Sequence, residues 1–395
     1  MEQWKEYRLG DFMEFNPKRS LSKNTIARKI TMDKLVPHTR DIYDWTYEPY
    51  SGGAKFQNGD TLMARITPCL ENGKQAYVSM LNNGETAFGS TEYIVICGRE
   101  ALCDNRFAYY LSLCPTFRNA AIKSMVGTSG RQRAQVDVLE NMTMRLPPLS
   151  EQLKIVSILS SLDDKIELNR KINSNLEEQA KALFKSWFID FEPFKDGKFV
   201  DSELGKIPEG WKMVQFETFI SECQDKVKVG TYPAYSVTNN GITPRIEKFK
   251  KQLSKATSKE KILRKDDLVF GMSRQILNWG IMQDEIGGVS SAYHVYRIVK
   301  ERVDPTYLRY FISGNQSYFR DLIGTAAREG QSLDKGALMN KKLFIPSEDI
   351  LQAFIQHITT LENAIRLFKR QCYRLSSLRD SLLPRLMSGE IEVRL

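Results

Sequence analysis

The side chains best suited to chemistry in this chain are basic and polar ones set among small residues. Thr128-Ser129-Gly130-Arg131-Gln132-Arg133 is the densest case. Arginine and glutamine can pair bidentately with the edges of guanine and adenine in a major groove. Small Ser, Thr and Gly neighbours leave backbone amides open to phosphates. A counterpart, Ala327-Arg328-Glu329-Gly330-Gln331-Ser332, stands at the matching place in the second half of the chain. Ser90-Thr91-Glu92 with Arg65, and Ser273-Arg274-Gln275 with Ser290-Ser291, have the same character. Lys248, Lys250 and Lys251 lie in the most basic stretch, Arg245 to Lys265, where nine Lys or Arg face only Glu247 and Glu260. A second basic patch holds Arg118, Lys123, Arg131 and Arg133 with no acid. An ordinary polar turn competes with contact for each residue alone. The two Gly-Arg-Gln-type loops at matching places favour contact.

Catalytic patterns are scarce. The three histidines, His38, His294 and His357, have no Cys or His at ligand spacing, and no metal site is expected. No G-x-x-x-x-G-K-[ST] loop is present, so nucleotide hydrolysis is not expected on this chain. Asn16-Pro17-Lys18-Arg19 holds half of an amino-methyltransferase motif and lacks its second proline and aromatic residue. Glu71-Asn72-Gly73-Lys74 has the wrong spacing for a nuclease and reads as a turn on Asn72-Gly73. The six cysteines form no C-x-x-C pair, which fits a reducing cytosol. The polar start Met1-Glu2-Gln3-Trp4-Lys5 has no signal-peptide core, and no run of eighteen uncharged apolar residues suggests a membrane span. A cytoplasmic location is expected. With 57 Lys and Arg against 48 Asp and Glu, the net charge of +9 favours a polyanionic partner.

The elements that must position these loops come in duplicate. Residues 148–190 and 347–389 both open on a proline–serine–acid signal and continue as a heptad pattern, superposable at an offset of 199. Ile155, Leu159, Leu162, Ile166, Leu176, Leu183 and Trp187 fall on Phe354, Ile358, Leu361, Ile365, Leu375, Leu382 and Leu386. Ser150 and Ser347 are the expected N-caps. The stripe also carries Asn169 and Asn173, which Phe368 and Leu375 on the other helix are expected to offset. A stripe this long predicts a coiled coil, and about forty residues at ~1.5 Å rise give a rod of about 60 Å. Pairing the two helices with each other, antiparallel, is the simplest solution.

The globular halves repeat more loosely. Asp60-Thr61-Leu62-Met63-Ala64 matches Asp267-Leu268-Val269-Phe270-Gly271, and Ser90-Thr91-Glu92-Tyr93 matches Ser290-Ser291-Ala292-Tyr293. Phe107 to Leu111 matches Tyr307 to Phe311. Short strand-like runs and one amphipathic helix, Asn105 to Leu113, make each half α+β. The expected division is a domain at 1–147, a long helix at 148–192, a linker at 193–210, a second domain at 211–346 and a second long helix at 347–390.

Three stretches carry a family resemblance: Leu146-Pro147-Pro148-Leu149-Ser150-Glu151-Gln152, Ile207-Pro208-Glu209-Gly210-Trp211 and Leu383-Pro384-Arg385-Leu386-Met387-Ser388-Gly389-Glu390-Ile391. In these the chain resembles the specificity (HsdS) subunits of type I restriction–modification systems over essentially its whole length. The second copy, Ile345-Pro346-Ser347-Glu348, lacks the double proline and the Glu-Gln. The resemblance implies two similar target-recognition domains separated by an antiparallel coiled coil, each domain reading one half of a split site on double-stranded DNA. It implies no active site on this chain. It implies docking of modification (HsdM) methyltransferase subunits, two in number, and of restriction (HsdR) subunits through them. S-adenosylmethionine, ATP and Mg²⁺ would sit on those partners. A stand-alone DNA-binding protein, a divergent nuclease and a coiled-coil scaffold are the competing functions. The missing acidic cluster argues against the nuclease, and the differing basic loops against the scaffold.

Overall fold

The computed structural model describes residues 4–227, 232–238, 241–245, 259–272, 277–323 and 333–393. Contacts divide the chain into two units, Met1–Asn173 with Arg366–Leu395, and Ser174–Ile365. Each unit therefore contains part of both long helices, the central helix Leu149–Phe188 and the last helix Glu348–Met387.

In the first unit a four-stranded antiparallel sheet has the order Met13–Phe15, Tyr93–Gly98, Thr61–Ala64, Gln75–Tyr77. A second sheet has the order Thr46–Pro49, Ile26–Ile30, Ala87–Gly89, Ala54–Phe56, with one parallel pairing between Ile26–Ile30 and Ala87–Gly89. Strand Lys5–Arg8 pairs antiparallel with Thr143–Leu146, which leads straight into the central helix. Helix Asn105–Leu113 starts where the Asp104 carboxylate accepts from the Arg106 and Phe107 amides, a strong N-cap. Its Phe107 and Leu111 join Phe12, Ile94, Phe117, Ile155, Leu159, Leu383 and Leu386 in one buried core.

The second unit repeats this plan. Its four-stranded sheet has the equivalent order, Ile220–Cys223, His294–Ile298, Leu268–Phe270, Trp279–Ile281. Strand Lys212–Gln215 pairs with Lys342–Ile345 ahead of the last helix. Asp304 caps helix Pro305–Gly314 as Asp104 caps its counterpart. Buried Asp60 and Asp267 sit just before matched strands, each holding an arginine, Arg19 and Arg297 respectively. The stretch 193–210, expected as a linker, contains a hairpin, Phe199–Ser202 with Gly205–Pro208, whose Ile207 enters the second core.

The helices pair antiparallel in both units. In the first, Asp163 meets Arg379, the Ile166 carbonyl meets Cys372, and Asn169 meets Gln371, so partner numbers fall as helix numbers rise. In the second, Phe184 and Phe188 pack on Phe354, with ring centroids 5.9 and 4.9 Å apart. Ile155, Leu159, Ile166, Phe354, Ile358 and Ile365 are buried, as the heptads predict. Leu162, Leu176, Leu183, Leu361, Leu375 and Leu382 are only half-buried.

Two expectations about the helices need correction. First, Asn169 and Asn173 are buried together with Asp163, Glu167 and Arg379, so the middle of the seam is polar rather than offset by Phe368 and Leu375. Second, near its C-terminus each helix buries residues at successive steps of four. These are Ala180, Phe184 and Phe188 in one, and Arg379, Leu383 and Met387 in the other. At 3.6 residues per turn, steps of four widen the buried stripe so that it meets both the partner helix and the domain core, as Phe184 and Phe188 do by packing on Phe354 and on Tyr307.

The helix entries also differ from expectation. Ser150 lies inside the first turn, because the Glu151 and Gln152 amides already bond the Pro148 carbonyl, 3.0 Å each. Ser347 does sit at the cap, its carbonyl accepting from the Leu351 amide at 3.0 Å. Gln152 explains the stronger motif of the first copy. Its Oε1 accepts from the Asp104 amide, and its Nε2 donates to the Leu102 and Pro147 carbonyls. The counterpart Leu351 is simply buried in the second core. Pro384 is carried within the last helix, which ends at Gly389 in the left-handed region, φ +74°.

Candidate nucleic-acid interface

Three segments distant in sequence converge in the first unit. Arg65 follows strand Thr61–Ala64; its amide donates to the Glu92 carbonyl at 2.9 Å, and its carbonyl accepts from the Ala134 amide at 2.8 Å. The Thr67 amide donates to the Gln132 carbonyl at 3.0 Å. Val126 and Arg133 exchange two backbone hydrogen bonds, 3.1 and 2.9 Å, which close the base of a loop. At its tip the Arg131 amide donates to the Thr128 carbonyl at 2.9 Å. Gly127 and Gly130 have φ of +136° and +78°. A Cβ on Gly127 would stand 2.9 Å from the Arg131 carbonyl oxygen, so the turn requires glycine there.

This loop exposes Thr128, Ser129 and Arg131 and leaves Gln132 half-buried. Ser90 and Thr91 border it through the Glu92 turn, where Ser90 Oγ accepts from the Glu92 amide at 3.1 Å. The candidates Arg65, Ser90, Thr91, Thr128, Ser129, Arg131, Gln132 and Arg133 thus fall on one surface.

Two arginines do not play the part expected of free contacts. Arg133 donates from Nε to both Glu92 oxygens at 3.0 and 2.9 Å and from Nη2 to Oε1 at 2.6 Å. The Glu92 bond holds its proton above the ordinary arginine range. Arg118, counted with this patch in the sequence, instead donates to the Leu70 carbonyl at 2.9 Å and lines a separate cleft with His38 and Arg379. Burial makes its charged form harder to keep.

In the second unit Ser290 Oγ accepts from the Ala292 amide at 3.3 Å, repeating the Ser90 turn, and Ser291 is exposed. Ile323 and Leu333 form an antiparallel bridge, as Val126 and Arg133 do in the first unit. Beside it Glu222 binds Lys335 at 2.7 Å and His294 at 3.1 Å. Lys261 donates to the Tyr293 carbonyl at 2.7 Å, and burial lowers its pKa. Lys248, Lys250, Lys251, Ser273, Arg274, Gln275, Arg328, Gln331 and Ser332 lie outside the described residues.

Among the described residues, His38, His357 and the buried thiol at Cys97 serve packing and turns. His357 packs edge-on against Trp187 at 6.2 Å, and His38 occupies a left-handed turn, φ +57°, against Gly73. Burial pushes the Cys97 thiol up to about 11, out of the nucleophilic range. Among the described residues no group of three His, Cys, Asp or Glu could hold a metal ion, and no helix is long and apolar enough to cross a membrane.

Sequence reasoning missed Glu92 as the residue joining all three segments. It stood in the sequence only as part of a polar turn; its partner lies 41 positions away, and no local pattern reports that separation.

Comparison with known proteins returns one consistent picture. Residues 1–178 match the family model described as type I restriction modification DNA specificity domain. The type I restriction enzyme MjaIX specificity subunit of Methanocaldococcus jannaschii is 28% identical over 309 residues, covering 73% of this chain and 69% of that protein. The MjaVIII specificity subunit of the same organism is 24% identical over 100% of this chain and 94% of its own length. Among solved structures, the S subunit of a type I restriction–modification system from M. genitalium superposes with a TM-score of 0.54 at 13% identity. It covers 97% of this chain and 96% of that one, a likeness of fold.

Proposed function

Since this chain belongs to the specificity (HsdS) subunits of type I restriction–modification systems, which are non-catalytic, we propose that it reads a bipartite, asymmetric site on double-stranded DNA. Each target-recognition domain takes one half-site. The proposed division is 1–147 and 211–346 for the domains, 148–192 and 347–390 for the long helices, and 193–210 between them. The observation that carries the reading is the convergence of Arg65, the Ser90–Glu92 turn and the 126–133 loop, which presents Arg131 on a braced, exposed tip. Arginine at such a tip suits guanine O6 and N7, and the surrounding hydroxyls and amides suit phosphates. Arg65 and Arg133 then support the tip more than they read bases. The candidates Lys248, Lys250, Lys251, Ser273, Arg274, Gln275, Ser290, Ser291, Arg328, Gln331 and Ser332 serve the second half-site. Their residue types differ from those of the first, so the half-sites differ.

The helix pair sets the spacer and docks the modification subunits, two per chain, with restriction subunits joining through them. A helix of 40 residues at ~1.5 Å rise is about 60 Å long, the span of about 17 base pairs at ~3.4 Å each. S-adenosylmethionine, ATP and Mg²⁺ belong to the partners. Co-expression with the cognate modification subunit, followed by mapping of modified bases across the host genome, tests the reading. Modification at one split, asymmetric sequence supports it. Modification that is unchanged when this chain is omitted overturns it.

A further inference from the structure

The Glu92–Arg133 pair sits where three segments meet, and its chemistry separates two roles that look alike in sequence. Glu92 contributes its backbone carbonyl to Arg65 and its whole carboxylate to the Arg133 fork. The pair lies at the foot of a tip that has two glycines with positive φ and exposed side chains from Val126 to Arg131. Such a tip loses much conformational entropy on ordering, so a clasp that orders it beforehand reduces the cost of binding. Arg133 turns Nε and Nη2 to Glu92 and Nη1 to the Arg131 carbonyl at 3.3 Å, so its fork points into the loop it braces. Moving its guanidinium to a phosphate would leave an unpaired carboxylate facing a polyanion. In the second half the residue types differ: Ala292 stands at the place of Glu92, and Leu333 takes the place of Arg133 in the matching bridge.

We propose that Glu92 and Arg133 are a positioning pair that holds the Thr128–Gln132 tip in its reading geometry, so that Arg133 governs selection of the first half-site through Glu92 and not through DNA. This rests on the DNA-reading role proposed above. A charge-assisted, bidentate pair on a partly exposed surface is modest in strength, so its loss should weaken discrimination about three- to tenfold.

The test uses the complex with modification subunits, and duplexes in which either half-site is altered. Four variants are compared with the parent: Glu92→Ala, Arg133→Ala, both together, and the swapped pair Glu92→Arg with Arg133→Glu. The expected result is equal loss of first-half-site discrimination in both single variants, no further loss in the double, and recovery in the swap. Second-half-site discrimination and melting temperature stay unchanged. Hydrogen exchange of amides 127–131 in the DNA-free chain rises in both single variants and falls back in the swap. If Arg133→Ala weakens binding while Glu92→Ala preserves or tightens it, or if their effects multiply, Arg133 touches DNA and the proposal falls. Unchanged exchange in both single variants also overturns it. Absence of any sequence-selective binding by the parent complex overturns the DNA-reading role instead, and the exchange measurement still decides the clasp.

Discussion

Arg131 is the exposed arginine of the tip; Arg133, two positions on, is held by Glu92. Arg131→Ala should therefore relax the first half-site alone, by about 1–3 kcal/mol if its contact is bidentate. Competition binding against duplexes altered in one half-site checks this, and an equal loss on every sequence would make Arg131 a phosphate contact. The tip stood out in sequence as Arg and Gln among Gly, Ser and Thr, a composition that an ordinary polar turn shares. Which arginine reads and which one braces was not legible. Both have the same local neighbourhood, and only the fold brings Glu92 to one of them. The equivalence of Asp104 with Asp304, each capping the same helix in its own unit, lay open at the offset of 200 that matches Phe107 to Leu111 with Tyr307 to Phe311, and was passed over.

The long helices were the most legible elements, since a stripe sustained over forty residues leaves few alternatives. Their polar centre was misread because a heptad template assigns polar residues to the seam without saying how they are satisfied. Asp163 accepts from Tyr110 Oη at 2.8 Å and from Arg379 at 2.7 Å, both carboxylate oxygens being engaged. Its counterpart Glu362 accepts from Tyr310 Oη at 3.2 Å, so each domain is tied by a tyrosine to the long helix that follows it. Asp163 is fully buried, so Arg379→Met should destabilise the chain by about 3–5 kcal/mol. Adding Asp163→Leu should recover most of that loss in chemical denaturation. If the double variant is as unstable as the single one, packing rather than charge dominates there.

Glu167 makes the opposite prediction at the same scale. Burial raises its pKa above the ordinary range despite the hydrogen bond from Arg170, and its Oε2 is buried without a partner among the described residues. A carboxyl whose folded pKa is raised binds more protons folded than unfolded. Its contribution to stability therefore falls as pH rises from the usual glutamate range through the folded value. Glu167→Gln should raise the melting temperature at pH 7.5 relative to the parent and lose that advantage near pH 4. A variant less stable than the parent at pH 7.5 would show that the charge is favourable.

At the scale of the whole chain, the duplication near an offset of 200 foretold two similar α+β halves, each followed by a long helix; the sheet order that the two units share was not read from the sequence. The second sheet of the first unit, with its parallel pairing of Ile26–Ile30 and Ala87–Gly89, was not foretold, because the halves share almost no sequence between their matched segments. Divergence there fits a scaffold that is kept while its reading surfaces change. The most direct measurement is a genome-wide map of modified bases for two proteins, each co-expressed with the modification subunit. One is the parent; the other carries matched seven-residue deletions in both long helices. Seven residues are about 10 Å of helix, or about three base pairs. The spacer-setting role predicts two unchanged, unlike half-sites separated by a spacer about three base pairs shorter. An unchanged spacer, or half-sites of altered sequence, would contradict it.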